Sequence, residues 1–261
     1  MKSENKKIST AVVTGGASGM GRIFALRMAA TGTHVAVLDC SEENLQSMQQ
    51  TNNISIFHCD VSNQQQVESV LQEIKTQRGN IDRLVHCAAI MPTGKLTDMD
   101  TATINHLMSI NYGGTVNVTK VVLKDMLAQN KGEVIVFGSS GGSVLVPECG
   151  AYCATKAATN AYMEILIEEN RHSNIHFMLV CPPLVNTPLL DQATVTSSPK
   201  TVTYSIERKR FLEPESVIDD IEKGLSKGKR YIWPGAEVKI LHWLRRFSPL
   251  LLWKVMHAAN S

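Results

Sequence analysis

Apolar positions in this chain cluster into short β-branched runs separated by stretches of helical spacing. Residues 8–14 (ISTAVVT), 34–39 (HVAVLD), 54–60 (ISIFHCD), 81–89, 133–139 (EVIVFGS) and 175–181 (IHFMLVC) are short and mostly rich in Val and Ile, so each predicts a buried strand. Between them, residues 19–30, 63–77, 102–129 and 151–169 read as helices, and Ser41 can cap another over SEENLQSMQQ, with acids in its first turn. Pro214 and Glu215 open a further helix to about residue 227, and KRYIWP supplies a last short strand. Strands joined by helix-length connections pair in parallel through right-handed crossovers, with helices on both faces. The fold class is therefore α/β, a doubly wound sheet. Neither a repeat nor a linker interrupts residues 1–261, so a single domain is expected.

Two segments leave this alternation. Residues 186–210 are polar (DQATVTSSPKTVTYS) and predict a long loop, with a substrate-covering role for about 186–213. In the tail, about 236–258, Ile240, Leu241, Trp243, Leu244 and Phe247 recur at helical spacing with Arg245 and Arg246 among them. Pro249 then breaks the run before a second apolar group, 250–256. Such a tail could pack on its own sheet or on another subunit, cover an apolar pocket, or lie on a membrane surface.

Composition narrows the function classes. With 26 basic and 24 acidic side chains the net charge is +2, too small for a nucleic-acid-attracting field, and 5% aromatics leave no stacking platform for single strands. The start, MKSENKKIST, has no apolar signal core, and no run approaches a membrane span; a cytoplasmic protein is expected, with membrane association through the tail left open. The six cysteines form no CxxC pair and several lie in apolar runs, which suits buried thiols in a reducing compartment. No residue set has metal-ligand spacing; His172 and His176 straddle a strand start.

The candidate chemistry begins where the first strand meets Thr14-Gly15-Gly16-Ala17-Ser18-Gly19-Met20-Gly21 and then a helix. Glycines there permit a tight turn and close approach to a pyrophosphate, and the helix start offers free N–H groups. Asp39, 18 positions after Gly21, ends the second strand, where a carboxylate accepts hydrogen bonds from ribose hydroxyls and repels a 2′-phosphate; NAD is expected over NADP. Capping of the following helix is its other reading. Tyr152 and Lys156 share a helix face at i, i+4, and a nearby ammonium favours the phenolate. Ser139 ends the fifth strand, and Asn111, followed by Tyr112-Gly113-Gly114, hints at a kink in the long helix that would turn its side chain to a site.

Together these residues and Asp60-Val61 resemble the short-chain dehydrogenase/reductase family over about residues 8–188, with a weaker tail to about 234. The resemblance implies a Rossmann-like seven-stranded parallel sheet and a homodimer or homotetramer built on the two long helices. Tyr152 would be the general acid/base, Lys156 would lower its pKa and hold the nicotinamide ribose, Ser139 would hold the reacting oxygen, and Asn111 would place a relay water. The implied NAD site comprises Gly15, Ser18, Gly19, Met20, Gly21, Asp39, Cys40, Asp60, Val61, Cys87, Ala88, Ala89, Tyr152, Lys156, Pro182, Val185 and Thr187. Three positions depart from the family pattern: His86-Cys87-Ala88-Ala89 stands for Asn-Asn-Ala-Gly, Pro183 for a glycine, and Gly138 for a serine.

Met91, Pro92, Leu145, Val146, Leu184, Val185 and Leu189 are candidate pocket walls. Their apolar character predicts a hydrophobic secondary alcohol or ketone, lipid- or steroid-like, and the preference for NAD favours alcohol oxidation. A 3-oxoacyl-type reductase and a non-catalytic dinucleotide-sensing or scaffold protein are the alternatives.

Overall fold

The structure is a computed structural model that describes residues 8–260, without the side chains of residues 236–238 and 255–260. Seven strands form one parallel sheet in the order β3-β2-β1-β4-β5-β6-β7: β1 Thr10–Thr14, β2 His34–Asp39, β3 Ile54–His58, β4 Arg83–His86, β5 Gly132–Phe137, β6 Ile175–Val180 and β7 Tyr231–Ile232. The helices that connect them are α1 Gly19–Ala30, α2 Glu42–Gln46, α3 Gln64–Arg78, α4 Thr101–Met108, α5 Gly114–Gln129, α6 Gly150–Glu169, α7 Pro188–Thr196, α8 Lys200–Glu207 and α9 Pro214–Leu225; α10 Ala236–Phe247 and α11 Pro249–Asn260 follow β7.

Alternation along the strands builds two cores. Val12, Leu84, Val134, Val136 and Leu179 face α3, α5 and α6, meeting Leu71, Val122 and Met163. Their neighbours Val13, Val35, Val85, Ile135 and Met178 face the other way, towards Phe24 and Met28 of α1 and Val217 and Ile221 of α9. Both faces of the sheet are thus covered, which is why the strands read as continuous apolar runs. The order reverses between β1 and β4, and the crevice beyond their carboxyl ends is where such sheets bind ligands.

Two departures from the expected elements have local causes. The long helix is broken by a π segment, Ser109–Gly113, between α4 and α5, as the Asn-Tyr-Gly-Gly sequence suggested. The expected polar loop, by contrast, is mostly helical. Pro188 occupies the first position of α7, where its missing N–H costs nothing, and Pro199 precedes α8. Only Leu190, Ala193 and Val202 of these two helices are buried among the apolar residues, so the periodic signal was thin.

Candidate active site

The crevice is built first by the turn between β1 and α1. Gly15 and Gly19 have positive φ (60° and 50°), and a Cβ on Gly21 would stand 2.2 Å from the Gly15 carbonyl oxygen. The loop is folded tightly on itself, so the start of α1 lies open. Ser18, the residue before that helix, makes no side-chain cap, leaving the first-turn N–H groups without a side-chain acceptor. An anion is what such a terminus accommodates.

Asp39 lies half-buried at the edge of the same cleft. Its two oxygens accept the N–H groups of Ala17 and Ser41, each at 3.1 Å. The cap of α2 is Ser41, whose Oγ accepts the Asn44 N–H at 3.3 Å, so the capping reading of Asp39 falls away. Each Asp39 oxygen keeps a lone pair for a further donor. Asp60 accepts Ser62 N–H and Oγ–H on one oxygen, at 2.9 and 2.8 Å, and has its other oxygen outside these bonds. A cleft of about 260 Å³ is lined by the expected Gly15, Ser18, Gly19, Met20, Gly21, Asp39, Cys40, Asp60, Val61, Cys87, Ala88, Ala89 and Thr187. Ile90, Ile110 and Gln192 also line it and carried no motif. Open N–H groups at one end and two carboxylates at the other fit a dinucleotide.

A second cavity, about 270 Å³, is lined by Ser139, Tyr152, Lys156, Pro182 and Val185. Of the expected walls, Met91, Val146, Leu184, Val185 and Leu189 are present, whereas Pro92 and Leu145 are not on its surface. Val144, Cys149, Val202 and Leu241 complete an apolar lining. The two cavities share Met20, Cys87, Ala89, Thr187 and Leu189, so their contents would meet there.

Helix α6 positions the polar set. Tyr152 and Lys156 lie one turn apart on it, with Lys156 Nζ 5.9 Å from the Tyr152 ring centre. Asn160, one turn further, clamps Ser139 from the backbone: Oδ1 accepts the Ser139 N–H at 3.4 Å and Nδ2 donates to the Ser139 carbonyl at 2.9 Å. This clamp explains the glycine at 138, where a Cβ would stand 2.0 Å from Asn160 Oδ1. Asn160 was missed from sequence; Gly138 and Gly142, where a Cβ would also meet its amide, were its traces. The Ser139 Oγ accepts the Gly141 N–H at 3.0 Å, which leaves its own proton to donate.

Burial dominates the electrostatics. It pushes the Tyr152 phenol up, and the facing Ser139 hydroxyl is the main downward pull. It brings Lys156 down to about 8. The Lys156 Nζ donates to the Phe137 carbonyl at 2.9 Å, which holds its charge behind the Tyr152 ring.

Asn111 corrects a second expectation. Its side chain does not face the site: Oδ1 accepts Ile90 N–H at 2.9 Å, and Nδ2 donates to Ile90 O and Thr155 Oγ1, each at 3.0 Å. Its carbonyl accepts Thr115 and Thr159 hydroxyls at 2.7 and 3.2 Å, and it lines neither cavity. The π segment turns this amide inwards as a staple between α6 and the loop that follows β4.

His86 stands where the family has asparagine. Its Nδ1 lies 2.7 Å from Thr14 Oγ1, which also receives the Ala88 N–H at 3.5 Å. Its other ring nitrogen, Nε2, is buried with no hydrogen-bond partner. Burial, with the Lys156 charge nearby, takes this imidazole down to about 3.

Comparisons with known proteins agree with this geometry. Residues 9–197 match the short chain dehydrogenase family. The 3-ketodihydrosphingosine reductase of Bos taurus is 30% identical over 227 residues, 83% of this chain and 68% of that protein. Dehydrogenase/reductase SDR family member 7B of Xenopus laevis is 28% identical over 263 residues, 95% and 80% of the two chains. Among solved structures, a short chain dehydrogenase/reductase from Burkholderia phymatum in complex with NAD superposes with a TM-score of 0.83, at 22% identity, over 94% of this chain and 95% of its own. The chain is an oxidoreductase that belongs to the short-chain dehydrogenase family.

Proposed function

We propose that the protein interconverts a hydrophobic secondary alcohol and its ketone, lipid- or steroid-like in character, with NAD(H) as the dinucleotide. The observation that carries this reading is the polar set itself. Ser139, Tyr152 and Lys156 line an otherwise apolar cavity that shares a wall with the glycine-loop cleft.

The dinucleotide, when bound, supplies the hydride chemistry. It would be held by the open N–H groups at the start of α1 and by Asp39, whose negative charge favours a ribose bearing free hydroxyls. Ser139 Oγ donates a hydrogen bond to the substrate oxygen and fixes it beside Tyr152. In reduction Tyr152 Oη gives its proton to that oxygen; in oxidation it takes the proton back. Burial favours the neutral phenol, the form from which a proton is given to the substrate oxygen. A relative named as a reductase of a 3-keto compound supports the reductive direction and a chain-bearing substrate. Lys156 holds its charge behind the ring and offers donors to the ribose, while the apolar walls exclude water. A homodimer or homotetramer built on α5 and α6 belongs to the same reading, supported by the exposed Leu127 and Ile165 on those helices.

The test is consumption of NADH, and separately NADPH, with a panel of long-chain and polycyclic ketones. Turnover should be confined to apolar ketones and favour NADH. Tyr152→Phe should lower it about 10²–10⁴-fold, the usual worth of general acid catalysis, with dinucleotide affinity almost unchanged. Full activity in that variant would remove Tyr152 from the reaction.

A further inference from the structure

The helical hairpin of α10 and α11 has an inner and an outer apolar side. Leu241 and Leu244 turn inwards and pack with Val144, Val146, Leu252 and Trp253. Leu241 reaches the substrate cavity itself. The outer side has no such cover. Ile240, Trp243, Phe247 and Leu250 are 67%, 66%, 63% and 77% exposed, and the Trp243 and Phe247 rings lie against each other at 4.2 Å. Ile240, Trp243 and Phe247 follow i, i+3, i+7 spacing, so they form one ridge along α10, and Leu250 begins α11 beside it. An exposed ridge of this kind marks a contact surface.

Its charges say what the contact is. The two helices carry four cations, Lys239, Arg245, Arg246 and Lys254, against one acid, Glu237, in the first turn of α10. Lys239, Arg246 and Lys254 are exposed with the ridge. A second copy of this chain would bring the same cations against themselves across a two-fold axis, whereas an anionic surface would be attracted by the hairpin's net positive charge. Among the described residues, no helix is long and apolar enough to cross a membrane, so the contact is with a surface.

We infer that the α10–α11 hairpin docks on an anionic lipid bilayer, with Ile240, Trp243, Phe247 and Leu250 inserted at the headgroup level and the cations among the lipid charges. Aromatic rings favour that depth, and basic side chains extend from it to the phosphates. One helix then touches lipid with its outer side and lines the cavity with its inner side. An apolar substrate of the kind proposed above would pass between them without crossing bulk water; this last step rests on that reading, while the docking does not.

The full chain is pelleted with vesicles of neutral phosphatidylcholine, and with vesicles containing about one third phosphatidylserine. Binding should favour the anionic vesicles at least tenfold, and fall with added salt. Trp243→Ser with Phe247→Ser should lower it at least tenfold, and Arg246→Gln with Lys254→Gln should erase the preference for anionic lipid. These side chains are exposed, so melting temperature and dinucleotide binding should stay at wild-type values; as a check without core changes, lipids brominated near the headgroup should quench fluorescence in the wild type and much less in Trp243→Phe. Equal binding to both vesicles, or none, would overturn the inference. So would a lipid-free dimer that Trp243→Ser with Phe247→Ser abolishes, because a second copy would then own the ridge. Vesicle binding is read without turnover, so its failure and failure of the reductase assay are distinguishable.

Discussion

Lys156 offers a stability test of the site that needs no substrate. Its ammonium is fully buried, and burial brings the group from 10.5 down to about 8. A base whose folded value is depressed penalises the folded state wherever the charge must be carried. The penalty is complete below about pH 8 and fades as pH rises towards 10.5, because only the unfolded chain still binds the proton there. Integrating between these two values, the cofactor-free protein should gain about 2.5 kcal/mol from this residue between pH 7 and pH 10. Lys156→Met keeps the length and loses the charge. Its pH dependence should lack that rise, while the titrating groups away from Lys156 cancel in the difference between the two proteins. For a chain of this size the gap corresponds to roughly 5–10 °C in melting temperature. Urea or thermal unfolding of both proteins at pH 7, 8.5 and 10 reads it directly. Parallel curves for wild type and variant would refute the burial argument.

The opposite end of the pH scale tests His86. Its imidazole is held at about 3, against 6.5 unfolded, so stability is full above 6.5 and is lost as pH falls towards 3. His86→Asn should spare about 2 kcal/mol of the loss between pH 7 and pH 5; an unchanged acid limb would show that the ring is solvated. Asp39→Asn removes the charge and keeps an acceptor for only one of the Ala17 and Ser41 N–H groups, and repulsion of a phosphate near 4 Å is worth roughly 1–4 kcal/mol. The NADH/NADPH preference in turnover should therefore drop at least tenfold, and an unmoved ratio would dismiss Asp39 as the discriminator. Gly21→Ala forces its Cβ on to the Gly15 carbonyl, so dinucleotide affinity measured by fluorescence titration should fall at least about tenfold; unaltered affinity would show that the loop is not the cradle.

Much of this architecture was readable in the chain, for physical reasons that also mark where reading stops. Buried parallel strands must be apolar on both faces, so their runs stood out; their ends were overestimated, since residues 87–89 are apolar yet belong to the crevice rather than to β4. The π segment was signalled because asparagine and two glycines are poor helix formers. Helices α7 and α8 were hidden because each buries so little that polar residues dominate. Tyr152 and Lys156 share a helix face as their spacing implied, and Ser139 meets them in one cavity as the resemblance implied, but the Asn160 clamp and the orphaned His86 nitrogen depend on which side chains meet across the sheet. Leu241 lies 89 positions from Tyr152 and carries no motif, so only the folded chain could show it beside the same cavity.

That Leu241 wall has a consequence for the order of synthesis. The dinucleotide cleft draws on nothing beyond Gln192, whereas the substrate cavity waits for a residue 49 positions later. At ribosomal speeds of about 5–20 residues per second, the interval is roughly 2–10 s. A nascent chain therefore has every residue of its nucleotide half before it can close the chamber where the carbonyl is to sit, and shortening the gene from its 3′ end would open that chamber first.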